Sequence, residues 1–202
     1  MESFDPRTTY NFLAISGSLR AQSSNTEVLR ACAILAPPSI NVTLFAGLRD
    51  LPHFNPDLDV EGAVLPGSVE HLRRAIDGAD ALLISSPEYA HGVPGTLKNA
   101  LDWLVSSPAM VLKPIGLLNV SPRSTHAYAS LAETLRTMST ALIPAASAEL
   151  PLTRSLANAD LIAGNPEFAD RVRSCLESLR NAADHYRLRR AEMEGRADAS
   201  RL

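Results

Sequence analysis

Short apolar runs alternate with longer amphipathic stretches along this chain. The apolar runs predict five strands, at about 10–15, 41–45, 81–85, 114–120 and 142–150. Apolar positions at helical spacing predict five helices, at about 24–35, 67–78, 94–105, 127–140 and 166–192, the last with Asn165 as N-cap and Pro166 in its first turn. This alternation is typical of an α/β domain in which crossover helices connect the strands of a parallel sheet. We therefore expect a doubly wound, five-stranded parallel sheet with helices on both faces.

The third predicted strand and the helix after it are the clearest elements. Residues 81–85 form an unbroken apolar run, as in a strand that is covered on both faces. Pro94 suits the start of a helix, and apolar residues follow it at helical spacing: Leu97, Ala100, Leu101 and Leu104. The loop between them, 86–93, leaves the carboxyl end of a strand, where open parallel sheets bind ligands.

Length, charge and cysteine content narrow the function. The 202 residues predict a single domain, 1–202, with a core of about 9–187, a short N-terminal tail and a charged C-terminal tail. A net charge of −3 gives no electrostatic reason to expect a nucleic acid or an anionic membrane as partner. Cys32 and Cys175 lie far apart in predicted helices, and the N-terminus does not resemble a signal peptide. We expect a cytoplasmic protein whose two cysteines face the core.

The loop after the first strand, 16–25, has the chemistry of an anion site. Gly17 allows a close approach of the backbone to a ligand, and Arg20 supplies positive charge at the start of a helix. The possible side-chain donors are Ser16, Ser18, Ser23 and Asn25. Ser24 and Glu27 also have the spacing of a capping box, which would exist without a ligand. The sequence contains neither a G-x-x-x-x-G-K-[ST] motif nor a G-x-G-x-x-G motif, so we expect a mononucleotide rather than a dinucleotide.

Several further residues permit both a functional and a structural interpretation. The segment 49–66 is either a binding loop with Leu51, His53 and Phe54 as contacts or a surface loop held by its apolar residues. His91, Arg123 and His126 either meet the ligand or belong to ordinary turns. On the third helix, the polar face with Trp103 is either solvated or a subunit contact; its other members are Lys98, Asn99 and Asp102. The arginine-rich tail 187–202 reads as a solvated, fraying and dispensable helix end.

Two loops together resemble the NAD(P)H-dependent FMN reductase family, flavodoxin-like proteins that include quinone, chromate and azo-dye reductases. GSLRAQSSN, at 17–25, is similar to the phosphate loop G-S-L-R-x-x-S-x-N of that family. PEYAHGVPGTLKNALDW, at 87–103, is similar to its signature P-E-Y-N-x-x-x-P-G-x-L-K-N-A-[IL]-D-W. Ala90 departs from the pattern where many members have Asn, and 121–127 lacks glycines that are often seen there.

The resemblance implies a flavodoxin-like strand order of 2-1-3-4-5 and an FMN site. The first loop would hold the FMN phosphate through Ser16, Ser18, Leu19, Arg20, Ser23 and Asn25. The second would lie along the isoalloxazine, largely through backbone groups of Pro87, Glu88, Tyr89, Ala90, His91 and Gly92. Ser121 and Arg123 would meet the flavin from the loop after the fourth strand. Glu88 is either a general acid or, as we expect, a residue that orients its loop, because flavin performs hydride chemistry itself. We assign no catalytic residue.

The implied activity is that of an FMN-dependent NAD(P)H oxidoreductase. Hydride would pass from NADPH or NADH to flavin, and electrons would then pass to a second small molecule in a ping-pong cycle. That acceptor could be free flavin, a quinone, an azo or nitro compound, or a metal oxyanion. The resemblance also implies a homodimer or homotetramer.

Other protein classes fit the sequence less well. A flavodoxin-type electron carrier, which is not an enzyme, shares the expected fold but is usually strongly acidic. A phosphoacceptor domain would need an aspartate at the end of the third strand, where this chain has Ser85 and Ser86. A serine hydrolase would need a G-x-S-x-G elbow, which is absent, and the five histidines show no metal-ligand spacing.

Overall fold

One parallel sheet forms the centre of the computed structural model, which describes residues 9–153 and 158–199. Its strand order is β2-β1-β3-β4-β5, with β6 also paired to β4, so the doubly wound order predicted from the sequence is confirmed. The strands are β1 Tyr10–Ser16, β2 Ile40–Leu44, β3 Ala81–Ser85, β4 Pro114–Asn119, β5 Ala141–Leu142 and β6 Ala148–Glu149. The helices are α1 Ser24–Leu35, α2 Gly67–Asp77, α3 Gly95–Asp102, α4 Thr125–Thr137, α5 Ala159–Gly164 and α6 Pro166–Ala199.

Each face of the sheet has its own apolar core, because successive side chains of a strand point to opposite faces. Phe12 and Ala14 of β1 pack with α1, α5 and α6. Leu13 and Ile15 of the same strand pack with α2, α3 and α4. All five residues of β3 are buried, as the unbroken apolar run predicts for a strand covered on both faces.

The fifth strand differs from the prediction. The sequence predicts one strand over 142–150, whereas the structure has two short segments, β5 and β6, separated by a 3₁₀ turn at Pro144–Ala146. Pro144 has no N–H to donate to a strand ladder, which favours the break there. In the gap, the Ser147 hydroxyl accepts a hydrogen bond from the Leu117 N–H at 3.1 Å. The Ser147 side chain thus takes the place of one backbone hydrogen bond to β4.

Asparagine side chains cap the starts of the last two helices. Asn165 accepts a hydrogen bond from the Phe168 N–H at 3.3 Å, so its predicted role as N-cap of the last helix is confirmed. The preceding helix α5 was not predicted, because its six residues are too few to show a periodic pattern. Asn158 caps α5 by accepting from the Asp160 N–H at 2.8 Å.

The C-terminal tail is docked where it was expected to be solvated. Arg187 contacts the Asp80 carboxylate, and Arg190 donates to the Asp77 carbonyl oxygen at 2.8 Å. The prediction of a dispensable segment starting at residue 187 is therefore wrong for its first turn. The end of the tail, 200–202, lies outside the described residues, as does the N-terminal segment 1–8.

Both cysteines are buried and free, as predicted for core-facing residues. Burial raises the pKa of the Cys32 thiol and that of the Cys175 thiol. Neither is therefore prepared to act as a thiolate nucleophile. Within the described part of the chain, no helix is long and apolar enough to cross a membrane.

Candidate functional site

A cavity of about 1120 Å³ lies at the carboxyl edge of the sheet. Its wall comes from four parts of the chain: the start of α1 at 22–25, the loop after β3 at 87–89, the loop after β4 at 120–124, and the segment after β6 at 151–153. Ser18 and Arg20 add to the wall from the loop after β1. The size is sufficient for a cofactor or drug-sized ligand, and the location is the expected one for an open parallel sheet.

The start of α1 presents backbone N–H groups to this cavity. Ser23 is the N-cap residue, with extended backbone, but its hydroxyl makes no capping hydrogen bond. Ser23 as a residue is 7% exposed and lies on the cavity wall, so its hydroxyl remains available there. Uncapped amides at a helix start attract anions through both hydrogen bonding and the helix dipole.

The predicted capping box of Ser24 and Glu27 is wrong. Ser24 is already inside the helix, and Glu27 does not reach back to its own helix start. Its Oε2 accepts instead from the N–H of Ala159, the first residue of α5, at 3.0 Å. Its Oε1 forms an ion pair with Arg30 at 2.5 Å, so both oxygens of this carboxylate are bonded away from the helix start and compete less with an anion in the cavity.

Ser16 and Leu19 of the first loop lie off the cavity wall, while Asn25 touches the wall and also supports the end of β3. The Ser16 hydroxyl lies 2.9 Å from that of Thr26 and is not on the cavity wall. The Asn25 Oδ1 accepts from the buried Ser85 hydroxyl at 2.8 Å, although Asn25 also touches the wall. Leu19 is 40% exposed and lies off the wall.

Gly17 packs closely against the end of β3 and against α3. A Cβ atom on Gly17 would lie 2.6 Å from the Ser86 Oγ and 3.1 Å from the Leu97 Cδ2. The open side of this glycine thus faces α3 and the end of β3. Gly17 is not on the cavity wall, and its expected role of letting the backbone approach a ligand stays a prediction.

The loop after β3 folds into a tight hairpin turn. The Tyr89 N–H donates to the Gly92 oxygen at 3.1 Å, and the Gly92 N–H donates to the Tyr89 oxygen at 2.9 Å. Ala90 and His91, between them, have φ angles of 49° and 60°, as in a type I′ turn. Left-handed backbone costs about 1–2 kcal/mol per residue other than glycine. Asn, which tolerates this conformation, would be favoured where Ala90 stands.

The turn changes which groups of this loop can meet a ligand. The backbone amides of Tyr89 and Gly92 pair with each other, so they are not the donors that the sequence suggested. Only the first half of the loop reaches the cavity wall, through Pro87, Glu88 and Tyr89. Ala90, His91 and Gly92 lie outside that wall, and Tyr89 is 52% exposed.

Glu88 connects the loop after β3 to the start of α4. Its Oε2 accepts from the Ala127 N–H at 2.8 Å, and its Oε1 lies 3.4 Å from the His91 Nδ1. The His91 ring in turn lies edge-on to the ring of His126, with centroids 4.4 Å apart. The Glu88 side chain is 12% exposed, whereas that of His91 is 75% exposed. This geometry supports an orienting role for Glu88.

The loop after β4 places a second arginine at the cavity. Ser121 organises the turn: its N–H donates to the Asn119 Oδ1 at 3.1 Å, and its carbonyl accepts from the Ser124 N–H at 3.0 Å. The exposed side chain of Arg123 follows on the wall. Among residues 9–153 and 158–199, no carboxylate lies within ion-pairing distance of Arg123 or Arg20. The wall thus carries two unpaired cations within the described part of the chain.

The segment 49–66 is held down by α3. Asn99 donates to the Pro52 carbonyl at 2.9 Å and accepts from the Phe54 N–H at 2.8 Å. The Trp103 Nε1 also donates to Pro52 at 2.9 Å, and the Phe54 ring packs edge-on against the indole. Trp103 is fully buried, so the suggestion that it anchors a subunit contact is wrong. Its real partner is the chain's own loop.

A salt bridge closes the same segment from its other end. Arg73 of α2 pairs with Asp59 at 2.7 Å, and the Ser106 hydroxyl donates to the same carboxylate at 2.7 Å. Burial raises the pKa of Asp59. The hydrogen bonds from Ser106 and Arg73 and the charge of Arg73 together lower it by more than burial raises it, so the net pKa lies below its usual range. These contacts favour the surface-loop interpretation of 49–66 over the binding-loop interpretation.

Comparison with known proteins assigns the family. Residues 10–171 match the model of the NADPH-dependent FMN reductase family. The chain belongs to this family. The matched region includes all four parts of the cavity wall described above. The family resemblance seen in the two sequence motifs is confirmed.

Individual members of the FMN reductase family show how far the similarity extends. The chain is 40% identical over 111 residues to the NAD(P)H-dependent FMN reductase of Pseudomonas aeruginosa, covering 54% of this chain and 58% of that protein. It is 39% identical over 105 residues to the quinone reductase of Escherichia coli (strain K12), covering 51% and 55%. The chain thus spans little more than half the length of these curated relatives.

A solved structure extends the comparison to the whole fold. The flavoenzyme FerB of Paracoccus denitrificans, an NAD(P)H:(acceptor) oxidoreductase, superposes with a TM-score of 0.74 at 25% identity. The similar region covers 88% of this chain and 99% of FerB. The flavodoxin-like fold predicted from the sequence is confirmed.

The residues at the cavity fit the cofactor in the name of the FMN reductase family. A phosphomonoester matches the uncapped start of α1 with the hydroxyls of Ser18 and Ser23 and the charge of Arg20. The polar edge of the flavin ring would lie between the wall segments 87–89 and 120–124. Within 9–153 and 158–199, no group of three or more His, Cys, Asp or Glu is placed to hold a metal ion.

Proposed function

We propose that this protein is an FMN-dependent NAD(P)H oxidoreductase that delivers electrons to a small-molecule acceptor. The observation that carries the proposal is the pairing of an uncapped α1 start with Arg20 at one end of a large cavity on the carboxyl edge of the sheet. The family assignment supports the same cofactor and electron donor.

The phosphate end of the proposed site is formed by Ser18, Ser23 and Arg20. Ser18 and Ser23 are buried residues, 8% and 7% exposed, and both lie on the cavity wall, so their backbone positions are set before a ligand arrives. Arg20 is exposed and can close over a bound phosphate, adding charge that the serines lack. These residues bind and orient; they take no part in proton transfer.

The ring end of the site would be formed by two walls. Pro87–Tyr89 would lie on one side and Ser121–Arg123 on the other, and the exposed Tyr89 ring offers a surface for stacking. The chemistry supplied by bound FMN is hydride acceptance from NAD(P)H and electron transfer to a second acceptor. The protein would contribute binding, orientation and the positive field of Arg123.

The acceptor is proposed only as a class. Several similar proteins are named quinone reductases, which supports a quinone as a first candidate to test. Free flavin, azo or nitro compounds and metal oxyanions stay in the proposal as alternatives. A homodimer or homotetramer and a cytoplasmic location also remain proposals, the oligomer now without the contribution that Trp103 was expected to make.

The decisive experiment is a flavin titration followed by anaerobic reduction. Purified protein is titrated with FMN and, in parallel, with riboflavin, which lacks the phosphate; we expect FMN to bind much more tightly. NADPH or NADH is then added without oxygen, and the flavin absorbance at about 450 nm should bleach and recover when a quinone is added. Bound FMN that stays oxidised with both nicotinamides would favour an electron carrier, and a failure to bind FMN would overturn the proposal.

A further inference from the structure

The hairpin turn 89–92 is not stable by its own sequence. Ala90 and His91 adopt left-handed backbone that neither residue favours, and this turn type prefers Asn-Gly. Strained backbone persists where surrounding contacts hold it in place. Contacts from outside the turn must therefore select this conformation over relaxed ones.

Those contacts come from the first turn of α4. Glu88, directly before the hairpin, accepts from the Ala127 N–H at 2.8 Å. The Nδ1 atom of His91, a residue of the hairpin, lies 3.4 Å from the Glu88 carboxylate. The centroid of the His91 ring lies 4.4 Å from that of the His126 ring. The Glu88 carboxylate also complements the positive end of the α4 dipole.

The same contacts fix the separation of two walls of the cavity. Glu88 belongs to the wall 87–89, while the wall 120–124 runs directly into α4, where Ala127 and His126 lie. One hydrogen bond from Glu88 therefore connects the loop after β3 to the loop after β4. A ligand between the walls would meet a gap that this bond has already set.

We propose that Glu88 is a positioning residue that holds the strained turn against α4 and so preorganises the flavin site. The proposal rests on the proposed function, because it names what the positioned walls would bind. Loss of the Glu88 carboxylate would let the turn relax, and only a fraction of molecules would then have the walls in the binding arrangement. The apparent Kd rises in proportion as that fraction falls.

The test uses a pair of substitutions whose effects should not add. Glu88→Ala should raise the Kd for FMN about tenfold or more, as expected for losing a hydrogen bond to a charged group. Ala90→Gly removes the backbone penalty at one turn residue and leaves Glu88 untouched. In the otherwise unchanged protein Ala90→Gly should leave the Kd within about twofold, because the turn is already formed, but in the Glu88→Ala background it should restore a large part of the lost affinity.

Matched controls separate positioning from loss of fold. Glu70→Ala removes an exposed carboxylate on α2 that pairs with Arg74 and lies off the cavity wall, and it should leave the Kd unchanged. Glu88→Gln keeps an acceptor for the Ala127 N–H and should lose less affinity than Glu88→Ala. If Glu88→Ala fails to fold, the Glu88→Gln protein with and without Ala90→Gly decides in the same way.

A measurement without FMN keeps this proposal distinct from the proposed function. Hydrogen exchange of the Gly92 amide, which is bonded to the Tyr89 oxygen within the turn, should accelerate in Glu88→Ala and slow again when Ala90→Gly is added. The Ala127 amide loses its acceptor in both variants, so its exchange should accelerate in both. Failure of the parent protein to bind FMN would overturn the proposed function, while the exchange data would still judge the positioning role. Unchanged exchange and affinity in Glu88→Ala, or no restoration by Ala90→Gly, would overturn the positioning role.

Discussion

Arg187 holds both oxygens of the Asp80 carboxylate, with its Nε and Nη2 each 2.6 Å from one of them. Asp80 directly precedes β3 and also accepts from the Asn11 N–H of β1 at 2.7 Å. The guanidinium further donates to the Thr9 carbonyl at 2.8 Å and stacks on the Tyr10 ring. This network fastens α6 to the amino edge of the two central strands.

Arg187→Ala should therefore lower the free energy of unfolding by about 1–3 kcal/mol, the usual cost of removing hydrogen bonds to a charged group. Urea unfolding monitored by circular dichroism measures it. Arg189→Ala, an exposed neighbour on the same helix, is the control and should change stability by less than about 0.5 kcal/mol. Equal effects of the two substitutions would mean that the Asp80 contact contributes nothing.

Arg20→Ala should weaken FMN binding about tenfold through loss of a charged phosphate contact, without affecting thermal stability. Riboflavin provides the internal control, because it has no phosphate and its affinity should be the same in both proteins. Added salt should weaken FMN binding more in the parent protein than in the variant. Fluorescence titration of each flavin measures all three expectations, and an unchanged FMN affinity would remove Arg20 from the phosphate site.

Gly116→Ala should destabilise the protein by about 1–3 kcal/mol, since overpacking of a close backbone contact forces neighbouring atoms to move. A Cβ atom there would lie 2.5 Å from the Ala146 carbonyl oxygen, in the turn that separates β5 from β6. Gly67→Ala is the matched control, because nothing lies within 4 Å of its added Cβ. Thermal unfolding compares them, and similar melting temperatures would contradict the close approach at Gly116.

Lys113 is fully buried at the amino edge of β4, where its ammonium donates to the Ala79 carbonyl and lies 4.5 Å from the centroid of the Tyr186 ring. Burial and then the charge of Arg190 lower the pKa of Lys113 from 10.5 to about 8, against the opposing effects of Asp77 and Asp80. The folded state thus favours the neutral amine relative to the unfolded state.

The sign of the resulting pH dependence follows from proton uptake. Between about pH 8 and pH 10.5 the unfolded chain binds more protons at Lys113 than the folded chain does, so this group makes stability rise with pH in that window. Below about pH 8 both states are protonated and the dependence vanishes. We expect the free energy of unfolding of the parent protein, measured relative to Lys113→Met, to increase across the window; a flat or falling difference would show that the lysine is not shifted downwards.

The sequence predicts elements well where the signal is local. The β3 boundaries, the start of α1 at Ser24 and the Asn165 cap all follow from apolar runs, turn residues and capping preferences within a few positions. The first half of the candidate site is equally local, since Ser18, Arg20 and Ser23 lie within six residues and all reach the cavity wall. The contacts that these elements make with one another are harder to predict from the sequence.

Three of the failures share one cause, which is that the residue's partner lies far away in the sequence. Glu27 has the spacing to cap its own helix, yet it bonds to Ala159, 132 residues later. Trp103 reads as exposed on an amphipathic helix until the loop around Pro52 covers it, and Arg187 reads as solvated until it meets Asp80. In each case the local pattern permits two outcomes, and the topology of the sheet decides between them.

The break in the predicted fifth strand also affects whether another chain can pair with this edge of the sheet. A long, regular edge strand offers a row of free N–H and C=O groups on which another chain can polymerise. Here β5 and β6 contribute only two residues each, and Pro144 stands between them. The interruption that removes one rung of pairing with β4 thus also guards this border of the sheet against aggregation.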